Sequence, residues 1–141
     1  MRTRLTATVL VAVAAGGMVA LAAAQSQTNG LPAYTEGYLK WRKLNPRPIT
    51  APGAHNGVKN VYASKRKVGA RYPNGTVIVK TIRNGGFVNQ FATMRKVRGT
   101  WRFVEWQRSG PSSRFRILAQ GSLCVSCHMQ ARANDFVFTR R

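Results

Sequence analysis

Between residues 58 and 108 the chain alternates apolar and polar positions in short runs separated by turn residues, the pattern of half-buried β-strands. Val58 to Ala63 forms the first run and Thr76 to Ile82 the second, the latter rich in β-branched residues. Phe87 to Val97 and Trp101 to Arg108 follow. The breaks between them are Tyr72-Pro73-Asn74-Gly75, Asn84-Gly85-Gly86 and Arg98-Gly99-Thr100, short enough to return each strand beside its predecessor. The expected architecture is therefore mainly β (α+β), an antiparallel meander.

Helical period shows in two places. Tyr34, Tyr38 and Trp41 recur at spacings of four and three, which predicts a short helix over Tyr34 to Leu44 with an aromatic face turned to the core. Asn45-Pro46-Arg47-Pro48 would end it, because proline lacks the donor and restricts the residue before it. The second helix is expected after Ser122 as N-cap and runs to about Ala133. Asn134 and Asp135 close it, and Phe136-Val137-Phe138 packs the tail back. Residues 49–57 read as a Pro/Gly-containing loop holding a solvated His55, Lys65-Arg66-Lys67 as an exposed basic loop, and 114–120 as a short helical or extended piece.

The first 24 residues change the picture. Arg2 and Arg4 precede an almost unbroken small and apolar run from Leu5 to Ala24, ending in Ala22-Ala23-Ala24 before Gln25. This is the form of a cleavable signal peptide; an uncleaved membrane anchor is the alternative. Residues 1–24 are thus read as an export signal and 25–141 as one domain, with a periplasmic location expected. Without Arg2 and Arg4, 21 basic residues stand against Glu36, Glu105 and Asp135, a net charge of +18. For an exported chain this favours an acidic redox partner or an anionic surface over nucleic acid.

Near the C-terminus lies Cys124-Val125-Ser126-Cys127-His128. Two cysteines three apart sit about one helical turn from each other, so both thiols can reach the vinyl groups of one porphyrin. The adjoining histidine then serves as the axial iron ligand. The motif reads as a covalent attachment site for one haem c, with His128 as the metal ligand. A zinc site would need two more ligands, and only His55 remains among histidines, with no further cysteine. Only Met129 follows the histidine closely, so a second axial ligand, if any, must come from the sheet.

These residues together resemble the cytochrome P-460 and cytochrome c′-beta family. The resemblance rests on Asn56 with Val58-Lys59-Asn60-Val61-Tyr62, on Tyr72-Pro73-Asn74-Gly75-Thr76-Val77-Ile78-Val79-Lys80, on Met94-Arg95-Lys96, and on the late Cys124-x-x-Cys127-His128 followed by Asp135-Phe136-Val137-Phe138. It implies a mostly β domain, commonly a homodimer, with the sheet lying over a haem carried by the C-terminal helix. It further implies work on small nitrogen ligands: redox processing of hydroxylamine or nitric oxide, or non-enzymatic binding of nitric oxide.

In the lysine-cross-linked branch, the lysine ending the Gly-Thr-Val strand bonds to the porphyrin edge, and Lys80 matches that position. Thr76, Ile78, Lys80 and Ile82 share one strand face by alternation. Hydroxylamine-oxidising members use a distal carboxylate as a proton relay. Phe91 to Val97, where that acid is expected, contains none. Glu105, alternating onto one face with Trp101 and Phe103, is the substitute, with pairing to one of the many arginines as the alternative. Members of the c′-beta kind instead cap the site with phenylalanines, for which Phe87 and Phe91, on one strand face, and Phe103 with Trp101, on one face of the next strand, are the candidates. Met94 as a sixth ligand would make the chain a plain electron-transfer cytochrome. An acid in the pocket together with a Lys80–haem bond favours the enzyme; an all-aromatic pocket with Lys80 not bonded to haem favours gas binding.

Overall fold

A computed structural model describes residues 29–50 and 52–139. The expected signal peptide lies outside the described residues. Six strands form one sheet in sequence order: β1 (Arg42–Lys43), β2 (Val58–Ala63), β3 (Val77–Asn84), β4 (Phe87–Val97), β5 (Thr100–Gln107) and β6 (Arg116–Gln120). Every neighbouring pair is antiparallel, so the fold is the expected meander. The strand limits of β2 and β4 coincide with the hydrophobic runs, and of residues 114–120 the last five, Arg116–Gln120, form a strand rather than a helix.

Alternation gives the sheet two buried faces. On one, Val61, Ile78, Met94, Trp101 and Phe103 pack with Val137 of the C-terminal tail. On the other, Val77, Val79, Phe91 and Trp106 pack with Tyr38 and Phe115. Each side chain reaches one face only because successive residues of a strand point to opposite sides.

The predicted helix over Tyr34 to Leu44 is not formed. Two 3₁₀ turns, Ala33–Thr35 and Tyr38–Lys40, are separated by Gly37 in a left-handed conformation (φ +67°), and the chain then enters β1. The aromatic spacing was decided by packing: Tyr38 is buried in the second core, and Tyr34 and Trp41 lie against it. The second helix, α1, spans Ser122–His128 and continues as a 3₁₀ segment, Met129–Asn134. Ser122 is its first residue, and Gly121 (φ +71°) occupies the cap position. No helix among the described residues is long and apolar enough to cross a membrane.

The tail returns through a left-handed bend at Asp135 (φ +52°) and Phe136 (φ +65°). That bend is held by a buried ion pair, Lys96 Nζ to Asp135 Oδ2 at 2.6 Å. The same carboxylate accepts the Tyr72 backbone N–H at 2.8 Å and Trp101 Nε1–H at 3.3 Å. Three donors from three parts of the chain thus fix the segment that covers the first face.

Candidate functional site

The first face does not close completely. Between the sheet, α1, the tail and the 49–55 loop lies a cavity of about 380 Å³, within the range of roughly 300–1,000 Å³ usual for ligand and cofactor sites. One cross-strand row builds its floor. Val61 pairs with Lys80, Lys80 with Ala92, Ala92 with Glu105 and Glu105 with Ala119, and all five line the cavity. A second row, Ile78–Met94–Phe103, lies beside it. Lys80 and Glu105 reach the same cavity because register sets them in one row, not because they are near in sequence.

Cys124, Cys127 and His128, from α1, line the same cavity. Both cysteines are free thiols. Burial pushes the Cys124 thiol up, and the nearby Glu105 and Cys127 add to the shift. His128 is buried, with its ring between Phe103 (centroids 4.7 Å apart) and Phe138 (5.3 Å). Its Nδ1 donates to the Phe136 carbonyl at 2.7 Å. A carbonyl can only accept, so Nδ1 carries the proton and Nε2 keeps its lone pair. Burial pulls the imidazole pKa from 6.5 to about 4 against the raising effect of that hydrogen bond, with Lys80 and His55 lowering it further. At neutral pH the ring is therefore uncharged, with a basic nitrogen available to a metal.

His55 is not the solvated loop residue its surroundings suggested. It lines the cavity and its Nδ1 donates to Glu105 Oε1 at 2.8 Å. Glu105 thus faces the cavity paired with an imidazole rather than with one of the many arginines. Lys80 Nζ lies 5.8 Å from the centre of the Phe138 ring. Met94 is buried and lines the cavity as well.

Phe87 and Phe91 do not line the cavity. Phe91 is fully buried on the other face, edge-on to Tyr38 at 5.2 Å. Phe87 lies over the Arg108 guanidinium, which also covers Phe115 of that second core. The reason is parity: Ala92 and Met94 point into the cavity, so Phe91 must point away. The aromatic rings at the cavity are Phe103, which was also a candidate, and Phe138, which was not.

Sequence reasoning missed two features. The His55–Glu105 pair joins residues 50 apart through a loop without periodicity. Lys59 also lines the cavity, and this one was legible, since it shares parity with Val61 and Ala63 on β2.

Among the described residues, no three His, Cys, Asp or Glu side chains come together as a metal site. The chemistry present is a neutral imidazole, two thiols on one helical turn, and an apolar cavity. These fit a metal that arrives in a macrocycle of its own and takes one nitrogen from the protein. No family model, no curated protein and no solved structure matches the chain.

Proposed function

We propose that the chain is an exported monohaem c-type cytochrome of the P-460 and c′-beta kind, acting as an oxidoreductase on small nitrogen compounds such as hydroxylamine or nitric oxide. The observation that carries this reading is that Cys124, Cys127, His128, Lys80 and Glu105 line one and the same cavity. The two thiols would form thioethers to the haem, and His128 Nε2 would bind its iron. The haem would supply an electron-accepting centre able to bind a nitrogen ligand.

The chain's own part is proton handling. Oxidising hydroxylamine releases protons, and the Glu105 carboxylate can take one within the cavity. His55, bonded to it at 2.8 Å, holds the carboxylate in position and offers an exit for the proton. The acid in the pocket and the absence of Phe87 and Phe91 from its lining favour the enzyme over a purely aromatic gas-binding site. The +18 charge favours an acidic redox partner for the electrons. A second reading, electron transfer with Met94 as sixth ligand, is favoured by one observation: Met94 lines the same cavity.

Intact mass and the optical spectrum of the exported protein test the proposal together. Mass should equal the chain from Gln25 plus one haem, and Cys124→Ala with Cys127→Ala should remove the covalent haem. Haem surviving a denaturing gel in that double variant would refute the attachment. A low-spin, methionine-ligated spectrum would favour Met94 ligation, and a red-shifted ferrous Soret band lost in Lys80→Ala would mark a lysine–haem bond.

A further inference from the structure

Phe136 is a bulky residue held in the left-handed region (φ +65°), directly after Asp135 in the same region (φ +52°). Such a conformation is disfavoured for a large L side chain and persists where the surroundings impose it, commonly beside a functional group. Here the two residues turn the returning tail so that the Phe136 carbonyl meets His128 Nδ1 at 2.7 Å. The same turn brings Phe138 against the imidazole and buries Val137 in the first core.

What imposes the bend comes from the sheet. Lys96 on β4 donates to both oxygens of Asp135, at 2.8 and 2.6 Å, and its ammonium lies 5.1 Å from the centre of its cross-strand neighbour Trp101. Trp101 on β5 and the Tyr72 backbone N–H ahead of β3 donate to the same carboxylate. On the tail's own side, the Phe136 N–H donates to the Ala131 carbonyl at 2.8 Å. Asn134 receives Lys67 Nζ at 2.6 Å and donates to the Val137 carbonyl. The clasped carboxylate is thus one residue away from the carbonyl that meets His128, and a shift of Asp135 moves that acceptor.

We infer that Asp135, clasped by Lys96, is a positioning residue for His128: it fixes the Phe136 carbonyl at Nδ1, so the proton stays there and Nε2 is presented to a metal. The inference rests on the haem reading only for the identity of that metal. A hydrogen-bonded Nδ1–H also makes the imidazole a stronger donor to its metal. On the haem reading, the clasp therefore holds the iron's midpoint potential down.

The test uses the exported holoprotein with Asp135→Asn, and with Asp135→Asn joined to Lys96→Met. Intact mass comes first: a wild type without haem would end the haem reading, and the clasp is then tested on that protein itself. The readout is the His128 Nδ1–H resonance of ¹⁵N-labelled protein, with carbon monoxide added to ferrous holoprotein so that its iron is diamagnetic. In wild type this proton should exchange slowly with water. In both variants it should exchange faster, and where haem is attached the midpoint potential should rise. The double variant leaves no unpaired charge, so its stability should return toward wild type while exchange stays fast; it decides the matter if Asp135→Asn does not accumulate. Phe91→Ala, in the opposite core, is the control for lost stability alone and should leave exchange and potential at wild-type values. Wild-type exchange in the double variant, or a change in Phe91→Ala as large as in Asp135→Asn, would overturn the assignment.

Discussion

Asp135→Asn is the most direct probe of what holds the candidate site together. Asparagine nearly matches the size of aspartate and tolerates the left-handed conformation that Asp135 adopts (φ +52°), so backbone strain is not part of the change. What is lost is the negative charge. The Lys96 ammonium, 2.6 and 2.8 Å from the two carboxylate oxygens, would face a neutral amide in a site where the two side chains are 6% and 7% exposed. Removing one partner of such a buried pair costs about 3–5 kcal/mol, a large share of the total of about 5–15 kcal/mol typical of a domain. For a domain of this size that corresponds to a fall in Tm of roughly 10–25 °C.

The pH dependence of the same group has a definite sign. Burial raises the Asp135 pKa, but the bonds from Lys96, Tyr72 and Trp101 together with the Lys96 charge outweigh it and hold the carboxyl below its ordinary 3.8. Its stabilising contribution is present above the unfolded carboxylate pKa and is lost as pH falls through the folded one. Thermal or urea unfolding of wild type and variant, from neutral pH into acid, should show a gap that narrows in acid. Adding Lys96→Met to Asp135→Asn should recover much of the loss, since no unpaired charge then remains. An Asp135→Asn protein within about 1 kcal/mol of wild type at neutral pH would refute the reasoning. The effect should also reach His128, because the clasped tail carries the Phe136 carbonyl that sets the imidazole tautomer.

Two further outcomes are expected. In the polypeptide without any bound group, His128 has a folded pKa of about 4 against 6.5 unfolded, so stability should be complete above pH 6.5 and decline as pH falls toward 4, by about 3 kcal/mol in all; a stability profile flat across that window, or an imidazole titrating near 6.5 by NMR, would contradict the buried neutral ring. Phe91→Ala should cost about 3–5 kcal/mol by denaturant unfolding while leaving the cavity's spectroscopic properties unchanged, because Phe91 sits in the opposite core; a change at the cavity without loss of stability would contradict that assignment.

The meander was legible because strand alternation and glycine-containing turns are local signals, and they agree with the observed β2 and β4 limits. Parity likewise assigned Lys80 to one face with Ile78 and Ile82, and Glu105 to one face with Trp101 and Phe103. The failures share a cause. Tyr34, Tyr38 and Trp41 keep helical spacing, but Gly37 breaks the segment and the rings find the core from two 3₁₀ turns. Phe87 and Phe91 were grouped by spacing alone, which says two residues share a face without saying which face.

Local sequence thus determined the strands, the turns, the Cys124–His128 helix and the excess of positive charge, all properties of residues close along the chain. Only the tertiary structure decided which sheet face holds the cavity, since both faces are apolar and period-two patterning is symmetric between them. It also brought His55 to Glu105 and Asp135 to Lys96, separations of 50 and 39 residues that no periodicity spans. The proton on His128 Nδ1 belongs to this second group, because it depends on where the returning tail leaves the Phe136 carbonyl.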